Sequence, residues 1–289
     1  MKLFGNPFIA QDLSSAYTRP QALRSYLAAI AAMSGVLMIW WPRSPLATYL
    51  RSGMTPDTFV AAAIGFLGCM TYVSIRFGAE DFAEENSSQI HDFVTLTPVP
   101  VSSVVAGKLV TAVLHTLLLL VLGLPFLVIG SSVNGTPIAV IGKAALIMGF
   151  YALAFRMYAF LAFVLFEPRK VFKDAVLILS AVVSLIVTTS AFPQLSPISA
   201  ILSLDPGNSY PSLPLPLLRT PIPFHAVSVI INALLAAVFS VSSGVWLRAV
   251  RRAHAGRQLA PPEAPAAEKR AERFLRGHWD DTDDKPDGT

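Results

Sequence analysis

Apolar runs of nearly membrane-spanning length constrain this chain more than any other feature of its sequence. An α-helix needs about 20 residues to cross roughly 30 Å of hydrocarbon. Six runs approach or exceed that length, and they cover residues 26–41, 58–75, 109–130, 137–166, 175–192 and 226–247. With 54% hydrophobic and 14% charged residues and a mean hydropathy of +0.58, the chain differs from ordinary soluble domains. The sequence predicts an all-α integral membrane protein with six transmembrane helices.

The fourth run is long and carries two basic residues, Lys143 and Arg156. A helix of nearly 30 residues would measure about 45 Å, so we expect it to tilt, kink or project from the bilayer. A central arginine costs about 2.5 to 3.5 kcal/mol to insert, so Arg156 needs a partner, a wet cavity or room to snorkel. Snorkelling or structural pairing is the first interpretation. The alternative is that Arg156 lines the route of an anionic or amphiphilic substrate.

Lysine and arginine are unevenly shared between the two sides of the predicted bundle, which sets its orientation. If the N-terminus is cytoplasmic, only Arg43, Arg51 and Arg219 lie outside. We therefore expect a multi-pass protein of the plasma membrane, the inner membrane of a bacterium, with both termini cytoplasmic. The net charge of +4 then reflects topology and contact with anionic lipid, and no nucleic-acid partner is expected.

Three regions outside the runs complete the predicted organisation. Residues 1–25 form an amphipathic helix that begins near Asn6-Pro7 and that Pro20 ends or kinks. Residues 26–248 form the six-span domain, in which the Asn-Gly turn at 131–136 joins the third and fourth spans outside. The outer segment 193–223 predicts an interfacial or re-entrant helical piece and then a proline-rich lid. Residues 249–289 form a cytoplasmic tail, mostly disordered.

Catalytic signatures are absent from the sequence. Gly107-Lys108 is followed by Leu109, so the phosphate-binding loop of ATPases is missing, as are His-Glu-x-x-His and Gly-x-Ser-x-Gly. The chain has one cysteine, Cys69, and its histidines are scattered. We predict no enzyme activity for the chain alone, and no catalytic residue, metal or cofactor bound by it. His115, in the third span, is interpreted as a neutral, hydrogen-bonded side chain, with a proton relay as the alternative.

The polar segment from Arg76 to Lys108 separates the second and third spans and is predicted to lie in the cytosol. Phe93 and Leu96 form an apolar anchor beside Asp92 and the Glu84-Glu85 pair. An apolar anchor surrounded by charge is suited to docking a rigid partner. The alternative is an amphipathic loop that rests on lipid, which the acidic residues disfavour at an anionic leaflet.

This segment and the six-span layout resemble the permease subunits of type-2 class ATP-binding-cassette exporters. The resemblance covers most of the chain, including the Asn6-Pro7 start, the tight outer loop after the third span and the outer segment before the sixth. It implies a cytoplasmic coupling helix that docks onto a separate ATPase subunit. Many relatives have Gly-Thr shortly after the acidic pair, where this chain has Gln89-Ile90.

Carried over by position, the resemblance implies the following roles. Glu84, Glu85, Asp92, Phe93, Leu96, Thr97 and Pro98 would form or flank the coupling element, with Gly107 and Lys108 where the chain returns to the bilayer. Arg169, Lys170 and Lys173, in the short loop after the fourth span, would make a second cytoplasmic contact. ATP and Mg would be bound by the partner ATPase. The permease would work as a homodimer or paired with a related permease.

A stripe of small polar residues marks the fifth span, where Ser180, Ser184 and Thr188 recur every four residues. Such a face lets helices pack closely, and a dimer interface is one form of that interpretation. The other interpretation is a polar groove that forms part of a translocation path.

The sequence thus predicts the membrane subunit of an ATP-driven exporter, with an amphiphilic or lipid-linked cargo suggested by the small outer loops. Two ATP-independent alternatives stay open. One is a secondary transporter that uses Arg156 and His115, and the other is an integral-membrane enzyme. Neither is favoured by the absence of Asp and Glu from all six spans.

Overall fold

The structure, a computed structural model, describes residues 20–42, 58–80, 99–165, 170–204 and 222–259. Within these ranges the chain forms seven α-helices and one 3-10 helix. They are α1 (Pro20–Ile39), α2 (Thr58–Glu80), α3 (Val101–Asn134), α4 (Ile138–Leu165), α5 (Lys170–Ala191), the 3-10 helix (Pro193–Leu195), α6 (Pro197–Leu202) and α7 (Phe224–Leu259).

Five of these helices, α1, α2, α3, α4 and α7, are long and apolar enough to cross a membrane. The prediction of an all-α, multi-pass membrane protein is confirmed by their length and hydropathy. The fifth of the six predicted spans is also a helix, α5, but its apolar part, Val176–Ala191, is shorter than a full crossing. Lys170, Lys173 and Asp174 occupy its first turns and keep them polar.

Several helices extend beyond the predicted spans. The third span, expected from residue 109, belongs to a helix that begins at Val101, so Gly107 and Lys108 lie within α3. A 34-residue helix measures about 51 Å, well over the roughly 30 Å of hydrocarbon. The last helix likewise continues to Leu259, into the predicted tail. Polar side chains at these ends do not interrupt helical hydrogen bonding, so hydropathy alone underestimates helix length.

Two proline positions refine the prediction. Pro20 is the first residue of α1 that the structure describes. Pro125 lies inside α3, where it removes the hydrogen bond to the carbonyl four residues earlier. Residues 1–19 of the predicted N-terminal amphipathic helix lie outside the described residues. The end of the predicted tail, from residue 260, also lies outside them.

The predicted hairpin turn between the third and fourth spans is confirmed. Gly135 ends α3 with a φ of 68°, in the left-handed region that glycine adopts without strain. Its amide and that of Thr136 both donate to the Ser131 carbonyl, the latter at 2.9 Å. The chain therefore turns directly from α3 into α4.

Helix α4 is the centre of the bundle and packs against α2, α3 and α7. Its contact with α2 is close at Gly78, where a Cβ would lie 2.8 Å from the Arg156 carbonyl oxygen. The contact of α2 with α3 is equally close, since the ring of Phe66 covers Gly123. Lipid tails are as apolar as the side chains that they surround, so the hydrophobic effect does little to bring helices together in a membrane. Close packing at small residues therefore supplies much of the attraction between such helices.

The short helix α6 lies in the bundle end that is predicted to face outward. Ser196 caps it by accepting a hydrogen bond from the Ser199 amide, and Pro197 occupies its first turn. Ala200 and Ile201 are fully buried among α2, α4, α5 and α7. The apolar part of the predicted outer segment is therefore helical, and the expected proline-rich lid lies outside the described residues.

Candidate functional site

A cavity of about 250 Å³ lies between α4, α5 and α7. Helix α5 contacts α2, the 3-10 helix and α6, and its residues Leu177 and Ala181 pack with Ala159 of α4. Ser180, Ser184 and Thr188 form one wall, so the structure brings the whole predicted stripe together on one surface. The other lining residues are Tyr151, Ala154, Phe155, Tyr158, Leu195, Ile231, Asn232, Leu235 and Phe239.

The α5 wall offers hydrogen-bond acceptors. The Ser180 hydroxyl donates to the Leu177 carbonyl at 2.7 Å, and the Thr188 hydroxyl donates to the Ser184 carbonyl at the same distance. Since a hydroxyl has one proton and two lone pairs, these two side chains have used their donors within the helix. The Ser180 and Thr188 oxygens are therefore available to the cavity as hydrogen-bond acceptors.

The opposite wall is aromatic and carries polar groups at Tyr151, Tyr158 and Asn232. The rings of Tyr151 and Phe155 lie 4.7 Å apart, and those of Tyr158 and Phe239 lie 5.5 Å apart. The buried Tyr151 hydroxyl lies near Ser184 but has no hydrogen-bond partner among the described residues. Asn232 is also buried and donates to the Ser228 carbonyl at 2.8 Å. This wall combines apolar area with one hydroxyl whose hydrogen-bonding capacity is unused.

None of the described side chains that line the cavity is charged. The face of α5 that turns away from the cavity is apolar and exposed in the single chain, at Leu179, Val183 and Ile186. That face is available to lipid or to another helix. The polar stripe predicted for a groove or an interface thus lies on the cavity side of α5.

A second polar cluster joins three helices near α3. The Nε2 atom of His115 is hydrogen-bonded to the Tyr26 hydroxyl at 2.8 Å. Phe77 covers the pair, with its ring 4.4 Å from that of His115 and 5.7 Å from that of Tyr26. His115 is 4% exposed, as the interpretation of a hydrogen-bonded histidine within the bundle requires. Its Nδ1 atom has no partner in the described part of the chain.

Arg156 is buried in the bundle, at 3% exposure. It is not among the residues that line the cavity between α4, α5 and α7. The structure therefore separates it from Ser180, Ser184 and Thr188, with which the sequence grouped it as a candidate for a translocation path.

The predicted cytoplasmic end contains a contact between α7 and the residues that precede α3. The Nη1 atom of Arg251 donates to the Val99 carbonyl at 3.0 Å. In the same region Leu247 packs with Val101 and Phe163. This end of the bundle is thus cross-linked by apolar contacts and by one long-range hydrogen bond.

Only some of the predicted coupling residues fall within the part of the chain that the structure describes. Glu84, Glu85, Asp92, Phe93, Leu96, Thr97, Pro98 and Arg169 lie outside the described residues. Lys170 and Lys173 lie on α5, and their side chains are likewise outside the described part. Gly107 and Lys108 are both buried in α3. The bounds of α2 and α3 leave residues 81–100 as the segment between the two helices.

Sequence reasoning did not select three residues that the structure makes prominent: Tyr151, Asn232 and Arg251. Asn232 carried a usable signal, because it is a polar amide within an otherwise apolar span. Nothing in the sequence indicates that Arg251 would meet Val99, which is 152 residues away.

Comparison with known proteins identifies no relative: no protein-family model matches the chain, and neither does any curated protein or solved structure. In the described residues no group of three or more metal-ligating side chains occurs. What length and hydropathy establish is an all-helical, multi-pass membrane protein with about five candidate spans.

Proposed function

We propose that this chain is the permease subunit of an ATP-driven exporter of the ATP-binding-cassette type. It would form the translocation path in the plasma membrane, with both termini cytoplasmic, as a homodimer or paired with a related permease. A separate ATPase subunit would bind ATP and Mg. Movement of that subunit would reach the bundle through residues 81–100.

The observation that carries the proposal is the hydrogen bond from Arg251 to the Val99 carbonyl, 3.0 Å long. It joins the C-terminal end of the acidic segment to α7, so a displacement of the segment would act on α3 and α7 together. Helix α3 follows directly at Val101 and packs against both α4 and α7. A docking segment tied to two long helices is suited to transmitting rigid-body motion.

The other end of the segment reaches the same central helix. Helix α2 ends at Glu80, and two residues earlier Gly78 touches the Arg156 carbonyl of α4. Both ends of the segment thus lead to helices packed on α4, whose residues Tyr151, Phe155 and Tyr158 line the cavity. Movement of α2 and α3 relative to α4 would change the shape of that cavity, which we place on the path of the cargo.

Co-purification tests the proposal. The full chain is isolated from its own host in mild detergent, and the sample is assayed for a roughly stoichiometric ATPase. A variant with Glu84→Ala, Glu85→Ala and Phe93→Ala should lose that ATPase, because the apolar anchor and its charged surround are removed. Asp57→Ala is the matched control, since Asp57 is an acidic loop residue predicted on the opposite side of the membrane.

The expected result is ATPase recovery with the parent chain and with Asp57→Ala, and its loss with the triple variant while helical content is retained. Recovery of no ATPase under any detergent condition, together with transport that continues without ATP, would overturn the proposal. Equal recovery with all three chains would reject the segment as the docking element.

The buried hydrogen bond between His115 and Tyr26 favours a second candidate, an ATP-independent secondary transporter. A histidine hydrogen-bonded within the bundle is the kind of group that ion-coupled transporters use. The two candidates differ in their energy source. Transport that collapses with an uncoupler at constant ATP would select this second function, and transport that persists would select the first.

A further inference from the structure

We propose that the cavity between α4, α5 and α7 binds a neutral amphiphile: an apolar body that carries hydroxyl groups but no charge, of which a monoacylglycerol is a simple example. The claim that this amphiphile is the exported cargo rests on the proposed function. The claim that the cavity binds it rests on the geometry of the cavity alone.

The size and shape of the cavity suit one small amphiphile or the end of a larger one. Its volume of about 250 Å³ is just below the range of about 300 to 1,000 Å³ that is usual for small-molecule pockets. From Ser180 to Thr188 its polar wall extends for two helical turns and a little more, about 12 Å. The site is therefore elongated along the bundle axis, as an acyl chain lying parallel to the helices requires.

The polar groups determine which part of the ligand can lie against α5. Because the Ser180 and Thr188 hydroxyls donate within the helix, their oxygens can only accept from a ligand. A ligand hydroxyl is a suitable donor. The two acceptors lie on one side of the cavity, and Tyr158 and Phe239 on the other side offer apolar area to the body of the ligand.

The Tyr151 hydroxyl gives independent support for a ligand. Tyr151 is 4% exposed, lines the cavity, and its hydroxyl has no hydrogen-bond partner among the described residues. A buried polar group without a partner is costly, and a ligand hydroxyl or ester carbonyl in the cavity would satisfy it. The stripe on α5 would by itself be explained by helix packing, whereas this hydroxyl, which has only Ser184 nearby, is placed to bond a polar group in the cavity.

The absence of charge among the described lining residues selects against ions. Burying a charge without a counter-charge is unfavourable in a low-dielectric site. An anionic phospholipid or a fatty acid would have to leave its head group outside the cavity, away from the acceptors of α5. A neutral glycerol head can lie inside.

Photo-crosslinking tests the site. The purified full chain, in neutral detergent and without any ATPase, is mixed with a monoacylglycerol that bears a diazirine in its acyl chain, and labelled peptides are mapped by mass spectrometry. We expect labelling of α4, α5 and α7 around residues 151–158, 180–188 and 231–239. Unlabelled monoolein should compete, and oleoyl lysophosphatidylglycerol of the same chain length should compete at least 10-fold less well.

Two variants and two controls connect the label to the cavity. Ser184→Leu should abolish labelling by filling the space, while Ser190→Leu should not, because Ser190 lies on the exposed face of the same helix. Tyr151→Phe keeps the shape and should weaken competition by monoolein about 3- to 10-fold, the usual effect of one hydrogen bond. Tyr72→Phe removes a hydroxyl from an exposed tyrosine and should have no effect.

Label that lies elsewhere, or equal competition by the neutral and anionic lipids, would overturn the inference. So would unchanged competition in Tyr151→Phe. Because the assay contains no ATPase, its result is independent of the co-purification experiment. Specific labelling, together with no ATPase recovery and transport that continues without ATP, would reject the exporter proposal and leave the site. ATPase recovery without labelling would support the exporter proposal and reject the site.

Discussion

The close approach of α2 to α4 at Gly78 leads to a quantitative prediction for Gly78→Ala. An added Cβ would lie 2.8 Å from the Arg156 carbonyl oxygen and 2.9 Å from the Ala159 Cβ. Ordinary van der Waals contact begins near 3.4 Å, so the new methyl group is about 0.6 Å too close. Because one obstacle is a backbone atom, no side-chain rotation relieves the contact. The two helices have to separate.

The expected cost follows from comparison with a glycine on the same helix. Overpacking a buried contact costs about 1 to 3 kcal/mol, while alanine gains about 1 kcal/mol over glycine in a helix interior. Gly68 is exposed and has nothing within 4 Å of an added Cβ, so Gly68→Ala receives the gain without the cost. The difference between the two variants cancels helix propensity and should be about 1 to 3 kcal/mol.

Thermal unfolding in detergent, followed by the helical circular dichroism signal, measures that difference. For a chain of this size we expect about 2 to 4 °C per kcal/mol, so Gly78→Ala should melt several degrees below Gly68→Ala. A melting temperature for Gly78→Ala equal to or above that of Gly68→Ala would refute the close contact. Gly78→Ser, which is similar in size to alanine, should reproduce the loss.

Two further predictions concern hydrogen bonds between distant parts of the chain. Tyr26→Phe removes the hydroxyl that meets His115, and should destabilise the protein by about 0.6 to 1.7 kcal/mol, the range found for hydrogen bonds between membrane helices. Thermal unfolding measures this loss, with the exposed Tyr72→Phe as control. Arg251→Ala should speed amide exchange in the first turn of α3 about 5-fold, since one net hydrogen bond is worth about 1 kcal/mol. Hydrogen-exchange mass spectrometry measures this, with the exposed Arg252→Ala as control.

Each of these two predictions has a contradicting result. Equal melting of the two Tyr→Phe variants would mean that the His115 contact contributes nothing to stability. Equal exchange in the Arg251 and Arg252 variants would mean that α7 does not hold the start of α3. The second result would also remove the observation on which the proposed coupling rests.

Hydropathy predicted the helical spans because the cost of burying polar groups in hydrocarbon acts on the sequence directly. It located the helices that contain His115 and Arg156, and the Asn-Gly pair before Pro137 located the hairpin, since Gly135 adopts the left-handed conformation there. Hydropathy predicted the ends of the helices less accurately. Lys108 is polar, yet it lies in the second turn of a helix that continues through it.

The candidate site was predictable in part for a similar reason. A four-residue period places Ser180, Ser184 and Thr188 on one helix face whatever the fold, so their grouping could be read from the sequence. Which helices oppose that face depends on tertiary packing. The contributions of Tyr151 on α4 and Asn232 on α7 follow from how α5 is held against α2, which no local pattern encodes.

Pro125 has a mechanical consequence for α3. The helix has 24 residues before this proline, about 36 Å at 1.5 Å per residue, and only a short stretch after it. The missing hydrogen bond makes this the point where the helix bends most easily, two residues from the place where Phe66 is pressed against Gly123. Helix α3 therefore has a long part and a short part on the two sides of a flexible point near the hairpin. A bend of about 10° there would displace Val101 by about 6 Å, so a small rearrangement near the hairpin becomes a large one at the opposite end.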